Sequence, residues 1–194
     1  MTPLNTHWSQ VRAGNLLVWG ADPEPPKAAG NLTWTGWEIH FPLYAARPDI
    51  VCALHVHPPY ATALASLKEV RLEPATQTAM GMQKRIAYAD EWSGRADGEE
   101  LRGASLAEAL GDRDILILKH HGVLVVGPSV GIAFTNLYML ERACRVQVLA
   151  MSTGRELDIV AELPERSRPA EEWKNQSFAA MRAVLDQAGA DYRD

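Results

Sequence analysis

Cysteine is nearly absent: Cys52 and Cys144 are the two in the chain, each inside an apolar segment. Two such residues make no disulfide framework and read as buried thiols in a reducing compartment, so a cytoplasmic location is expected. No apolar stretch reaches the roughly 18 residues that a membrane span requires. The opening MTPLNTHWSQVRAG has no basic region followed by an apolar run, so neither export nor anchoring is expected. Positive charge is not in excess either. Lys and Arg number 19 against 24 Asp and Glu, a formal charge of -5, and the cations are scattered. That lacks the basic footprint of nucleic-acid or anionic-membrane binding and leaves a small molecule as the expected partner. Internal repeats and low-complexity tracts are missing as well.

What is present is ordinary globular material: 194 residues, 47% hydrophobic and 22% charged. One domain over 1–194, with a core large enough to need no staples, is expected. NLLVW (15–19) reads as a short strand. The following 20–30 carries Pro23, Pro25 and Pro26 and reads as a loop. Trp37, Phe41 and Tyr44 recur at helical spacing in a segment that ends before Pro48, and Pro42 inside it predicts a kink or a short first turn. IVCALHV is a strand by its β-branched content, and Pro58-Pro59 opens the helix YATALASL where a missing N–H costs least. A helix is predicted near 98–110, then strands DILILKH and VLVVG around His120-His121-Gly122, then a long helix from Val130. In that helix Ala133, Leu137, Leu140, Cys144, Val148 and Met151 share an apolar face, and Glu141 with Arg145 forms an i,i+4 pair. A polar linker (162–172) leads to an amphipathic helix at 173–188 that packs on the body or on a neighbouring subunit. Strands interleaved with helices indicate a three-layer α/β arrangement.

The chemistry lies in the histidines. His55 and His57 are two apart on a predicted strand, so both imidazoles face one side. A catalytic divalent ion commonly takes three protein nitrogens and leaves a position open, which calls for a third ligand elsewhere. His121 is the best candidate, since Gly122 lets the backbone turn tightly and aim His121 inward with His120 pointing away. A lone histidine on an apolar face is more often a hydrogen-bonded core residue, and His7 and His40 are read that way as regards metal. By spacing alone the pair and the distant His-His-Gly leave both readings open.

Taken together, WEIHFPLYAARPDIVCALHVHPPYATALASL and ILILKHHGVLVVGPSVGIAFTNLYMLERACRVQVLA resemble the class II aldolase/adducin family over roughly residues 31 to 154. The marks are Arg47-Pro48-Asp49, His55-Val56-His57, His121-Gly122, Gly127 and Ala133. The resemblance implies an α/β/α sandwich around a mostly antiparallel sheet. It also implies a divalent metal (Zn, or Mn, Fe or Co) on His55, His57 and His121, and commonly a homotetramer with active sites between subunits. Tyr88 lies where adducin-like members often carry Tyr or His. It and His40 are the candidates for a catalytic proton donor.

One departure is informative. Sugar-phosphate aldolases of the family carry Pro-Ser-Ser-Glu, the glutamate 19 residues before the first ligand histidine; here that segment is Thr33, Trp34, Thr35 and Gly36. The acid/base carboxylate is missing, an aromatic replaces a phosphate-holding serine, and Glu38 is on a different helix face. Trp34, Thr35 and Gly36 are therefore the expected substrate-binding positions. In the family the metal accepts charge on a carbonyl or enolate oxygen as a C–C bond breaks, and decarboxylation needs no base to remove an alcohol proton. Trp8, Trp34, Trp37 and Trp92 are available to line a flat pocket, of which one or two are expected at the site. The expected function is a metal-dependent decarboxylase of a hydroxylated aromatic or related carboxylic acid. Alternatives are a retro-aldol lyase on a non-phosphorylated or sugar-derived substrate, an oxygenase or cyclase with iron, and a non-catalytic adducin-like interaction domain, although adducin-type domains lose the ligand histidines.

Overall fold

The computed structural model describes residues 1–18, 34–69, 71–90, 103–161 and 171–193. The loop expected at 20–30, Trp92, the first residues of the helix expected at 98–110 and most of the linker expected at 162–172 lie outside the described residues. So do the side chains of Trp34 and Thr35.

Four strands, β1 (Cys52–Val56), β2 (Ile86–Ala89), β3 (Ile115–Leu118) and β4 (Gly122–Gly127), form a sheet in the order β1-β4-β3-β2. β1 and β3 both run antiparallel to β4, while β2 and β3 are parallel. The connections explain the pattern. Residues 119–121 join β3 to β4 in a tight turn that allows only antiparallel pairing, whereas the path from β2 to β3 passes through helix α4 (Gly103–Leu110) and can return parallel.

Alternation along the strands splits the core. Leu116, Leu118, Leu124 and Val126 face α1 (Trp34–Ala46) and α4, meeting Ile39, Leu43, Leu106 and Leu110. Ile115, Ile117, Val123 and Val125 face the other way, toward α2 (Pro59–Ala65), α3 (Gln77–Met80) and α5 (Val130–Met151). Helices cover both faces, which is why β3 and β4 read as unbroken apolar runs. This is the three-layer α/β/α sandwich with a mostly antiparallel sheet. The apolar face expected on α5 packs here, with Leu140 and Cys144 buried and Leu137, Val148 and Met151 against the same cluster. The last helix, α6 (Glu171–Gln187), is tied to α5 where Thr135 Oγ1 donates to the Lys174 carbonyl at 2.9 Å.

Two local expectations are corrected. Residues 15–18 are not a strand: Asn15 closes a 3-10 turn (Ala13–Asn15), Val18 is 90% exposed, and Leu17 exchanges both backbone hydrogen bonds with Met1 at 2.8 Å. Apolar composition made no strand because no sheet edge meets it. Pro42 does not shorten the first turn of α1; the helix runs from Trp34 through it to Ala46. Burial of Ile39 and Leu43 on either side of Pro42 offsets the one hydrogen bond that proline removes.

Candidate metal centre

β1 carries His55 opposite Leu124 of β4 and ends at Val56, so His57 extends one step past the strand on the face of His55. His121 comes from the β3–β4 turn. There Leu118 O accepts from His121 N at 3.2 Å, and His120 takes the left-handed conformation with φ of 58°. His120 turns outward and is exposed. The bend therefore falls at His120, not at Gly122 as the sequence suggested. Gly122 serves differently: a Cβ there would stand 2.6 Å from both His57 Cδ2 and the Val56 carbonyl oxygen. The missing side chain lets β4 approach the end of β1 closely enough to bring His121 to the other two.

The three rings converge. His121 Nε2 is 3.1 Å from His55 Nε2 and 3.1 Å from His57 Nε2. One donor atom from each residue lies within 4.8 Å of the others. His55 and His121 are half-buried and His57 is exposed, so the cluster opens to solvent on the His57 side. His55 Nδ1 stands 3.1 Å from the Val123 carbonyl and donates to it in the neutral ring, which turns the Nε2 lone pair toward the cluster. Burial first, then the like charges of His121, His57 and His40, holds His55 down to about 4. Burial and His57 also lower His121. Both are neutral near pH 7, the form in which imidazole binds metal.

This donor set fits a divalent ion. Nitrogens bound at 2.0–2.1 Å stand about 3.3 Å apart around a tetrahedral ion and about 2.9 Å apart at the right angles of an octahedral one. The observed 3.1 Å lies between. A proton on His121 Nε2 would be shared between two acceptors, whereas one cation satisfies all three lone pairs. Three neutral nitrogens without a thiolate suit Zn, Fe, Co or Mn and do not select among them.

The other predicted residues divide. His40 lies on α1 one turn after Gly36 and on the same face, close enough that its charge acts on His55. Burial and the positive amino terminus lower it to about 4, and its ring stacks on Tyr44 at 6.4 Å between centroids. Tyr44 in turn accepts from Ala53 N at 2.9 Å, which ties α1 to the strand of His55. Tyr88 is not brought to the histidines. It sits on β2, at the far edge of the sheet, and packs into the opposite core. Its hydroxyl accepts from Leu72 N at 3.1 Å, and the Arg71 guanidinium lies 4.3 Å over its ring. Trp8 is 72% exposed and Trp37 stacks on Phe41 at 5.1 Å. Arg47 is structural: it clamps Asp49 with two hydrogen bonds of 2.8 and 2.6 Å and donates to the Gly111 carbonyl.

Sequence reasoning missed Glu141. It was expected to pair with Arg145, yet its carboxylate reaches from α5 to accept from Tyr60 N at 3.0 Å and Ala61 N at 2.9 Å. The N-cap of α2 is Pro58, whose side chain caps nothing. Glu141 thus supplies the cap from another helix and fixes the segment that follows His57. Arg145 lies over the Tyr60 ring at 5.5 Å. The only sequence signal was the poor cap itself.

The model of the Class II Aldolase and Adducin N-terminal domain matches residues 1–148. Beta-adducin of Rattus norvegicus is 34% identical over 191 residues, 93% of this chain and 26% of the adducin. Decarboxylase NovR of Streptomyces niveus is 27% identical over 162 residues, 83% of this chain and 59% of NovR. The chain thus spans only about a quarter of the adducin's length. The crystal structure of an aldolase II superfamily protein from Pseudomonas syringae superposes on all of the chain and 79% of itself, with a TM-score of 0.83 and 29% identity. With its fold, its histidine cluster and the match over 1–148 in agreement, the chain belongs to the class II aldolase and adducin family.

Proposed function

We propose that the chain is a divalent-metal-dependent carbon–carbon lyase that decarboxylates a hydroxylated aromatic or related carboxylic acid. The observation that carries the reading is the convergence of three Nε2 atoms, two of their rings kept neutral by burial. His55, His57 and His121 would hold the ion, with Val123 O orienting His55. The bound ion supplies a Lewis acid that accepts the negative charge developing on a substrate oxygen as the C–C bond breaks.

The chain's own groups supply the rest. Gly36 stands where the phosphosugar aldolases carry their carboxylate, so the base for an alcohol proton is missing from that position. His40, one turn on, is neutral at pH 7 and would relay a proton, its N–H donating to the carbanion that CO2 leaves behind while its other ring nitrogen accepts a proton from water. Trp34, Thr35 and Gly36 open α1 beside it and are the proposed substrate-contacting positions. Tyr88 reaches the reaction only from a neighbouring subunit, as the proposed homotetramer would allow. A cytoplasmic location accords with two buried free thiols. The resemblance to Decarboxylase NovR supports decarboxylation over retro-aldol cleavage.

The 34% identity with Beta-adducin favours one other reading, a non-catalytic interaction domain. Protein purified without added metal is assayed for bound metal and then for CO2 release from a panel of ortho-hydroxy aromatic acids, beside His121→Ala. The proposal expects near one metal per chain and CO2 from at least one acid, both lost in the variant. Stoichiometric metal with an aldehyde product from a sugar-derived substrate, and no CO2, establishes the retro-aldol reading instead. Iron with oxygen consumption points to an oxygenase, and absence of metal to the adducin-like domain.

A further inference from the structure

The three histidines are not held alike. His55 sits inside β1, paired with Leu124 of β4, and its Nδ1 is anchored on the Val123 carbonyl. His121 belongs to the β3–β4 turn, where Leu118 O accepts its backbone N–H. His57 lies one residue beyond the end of β1 and is exposed. Among the described residues its ring makes a single hydrogen-bond contact, 3.1 Å to His121 Nε2. Gly122 bounds it on one side. The other restraint on its place comes from the chain that follows.

That chain is a stiff connector. Pro58 and Pro59 separate His57 from Tyr60, and each ring fixes its own φ, which is -71° at Pro58. A residue before proline is confined to extended backbone, so ψ of His57 and of Pro58 has little freedom either, and it is 141° at Pro58. The connector ends on Glu141, whose Oε1 accepts from Tyr60 N at 3.0 Å and whose Oε2 accepts from Ala61 N at 2.9 Å. The two prolines have no N–H, and the next donor, Thr62 N, reaches the Pro58 carbonyl at 2.9 Å. Glu141 therefore takes both N–H groups that the start of α2 leaves without an intrahelical acceptor. Apolar contact alone would hold α2 less definitely. It sets Ala61, Leu64 and Ala65 against Leu140, Ala143 and Cys144 of α5, and such contact is non-directional. A carboxylate bound to two adjacent N–H groups fixes the start of the helix to within hydrogen-bond tolerance.

We infer that Glu141 is a positioning residue of the histidine cluster. Through Tyr60 N, Ala61 N and the Pro58-Pro59 connector it places His57 where its Nε2 meets His121, and so sets how tightly the cluster takes a divalent cation. The effect on cation affinity rests on the metal reading, whereas the effect on the rings does not. Glu141 itself touches neither ion nor substrate.

Three quantities test this on the full chain: zinc affinity by competition with a chromophoric chelator, ring-proton contacts among the histidines by NMR in zinc-free protein, and the urea midpoint. Gln147→Leu is the control. Gln147 is on the same helix and also makes two side-chain bonds to backbone, accepting from Glu73 N and donating to Arg71 O at 2.7 Å each, but in the segment beyond the far end of α2. Expected in Glu141→Leu are zinc binding about tenfold weaker and loss of the His57–His121 ring contact, with the His55–His121 contact kept. Glu141→Gln retains one acceptor oxygen. It is expected to weaken zinc about threefold and attenuate the same ring contact, and it stands in if the leucine variant does not fold. Gln147→Leu lowers the urea midpoint and leaves zinc affinity and ring contacts as they are, a separation that a purely stabilising role for Glu141 would not produce. The inference is overturned if Glu141→Leu keeps wild-type zinc affinity or the His57–His121 contact, or if Gln147→Leu loses as much. Should the wild type take no zinc, the metal reading fails and the ring contact decides. Kept in Glu141→Leu, it overturns the inference; lost there and kept in Gln147→Leu, it sustains it.

Discussion

A single methyl group at Gly122 separates metal geometry from general stability. The new Cβ would meet His57 Cδ2 at 2.6 Å, the Val56 carbonyl oxygen at 2.6 Å and His57 Cα at 3.2 Å. Carbon atoms pack at about 3.5–4.0 Å, so the shortfall at the ring is about 1 Å. Val56 O is backbone paired into the sheet and cannot swing away, so relief comes from moving the end of β1 or rotating the His57 ring. Either shift exceeds the roughly 0.2 Å tolerance of a metal–ligand distance several-fold. Overpacking also costs about 1–3 kcal/mol of folding stability. Gly122→Ala is therefore expected to remain folded and to bind zinc at least about 10–100-fold more weakly, about 1.4–2.8 kcal/mol. Gly127→Ala at the other end of β4 is the control. Its Cβ meets Ala133 N at 3.0 Å and Ile132 Cγ2 at 3.2 Å, so stability falls while zinc binding does not. Zinc affinity by competition with a chromophoric chelator, beside urea unfolding, reads both quantities. Unchanged zinc affinity in Gly122→Ala, or equal loss in Gly127→Ala, would refute the reasoning.

Acid destabilises the metal-free protein in a defined window. The fold holds His55 and His40 at about 4 against the ordinary 6.5, so below about pH 6.5 the unfolded chain takes up protons that the fold refuses, and stability falls toward pH 4. Urea midpoints at pH 7 and pH 5 check this, and equal midpoints contradict it. Glu141→Leu deletes two hydrogen bonds to a charged acceptor at the start of α2 and should cost about 2–4 kcal/mol, with Glu141→Gln costing less; an unchanged urea midpoint in the leucine variant removes the capping role. His120→Gly relieves a left-handed residue and should leave both stability within about 1 kcal/mol and zinc affinity unaltered, unlike any change at His121. Burial, then the charge of Glu141, pushes the Cys144 thiol up to about 12, and burial also raises Cys52, so neither should react with a thiol reagent until the chain unfolds. Labelling at the rate of an exposed thiol would show that these segments open in the native state.

The sheet and the convergence of the three histidines were legible because their signals are local or periodic. The two-residue spacing of His55 and His57 sets their shared face, and unbroken apolar runs mark strands covered on both sides. What was not legible depends on where distant segments meet. NLLVW has strand composition, but 15–18 meets no sheet edge. Glu141 and Arg145 have the spacing of an ion pair, yet an uncapped helix 80 residues away in sequence claims the carboxylate. Tyr88 is near the right motif in sequence and on the wrong face of the sheet in space, because strand order puts β2 at the edge opposite β1. Gly122 was singled out correctly for its lack of a side chain, but the reason was inter-strand approach rather than backbone torsion.

The departures from local preference are clustered, and their position bears on catalysis. The left-handed φ of His120 costs about 1–2 kcal/mol in a residue with a Cβ. Gly122, a weak strand former, begins β4. Three imidazole nitrogens crowd together, and burial denies His55 its ordinary protonation. All four lie within one residue of a member of the histidine trio. Substitutions that relieve Gly122 or the three imidazoles would undo the convergence of the rings, whereas His120→Gly would keep it. A cation held by all three nitrogens at once, as proposed above, would offset these costs together. On that proposal the costly shape of the β3–β4 turn leaves His121 already aimed, so that little reorganisation would remain on binding an ion.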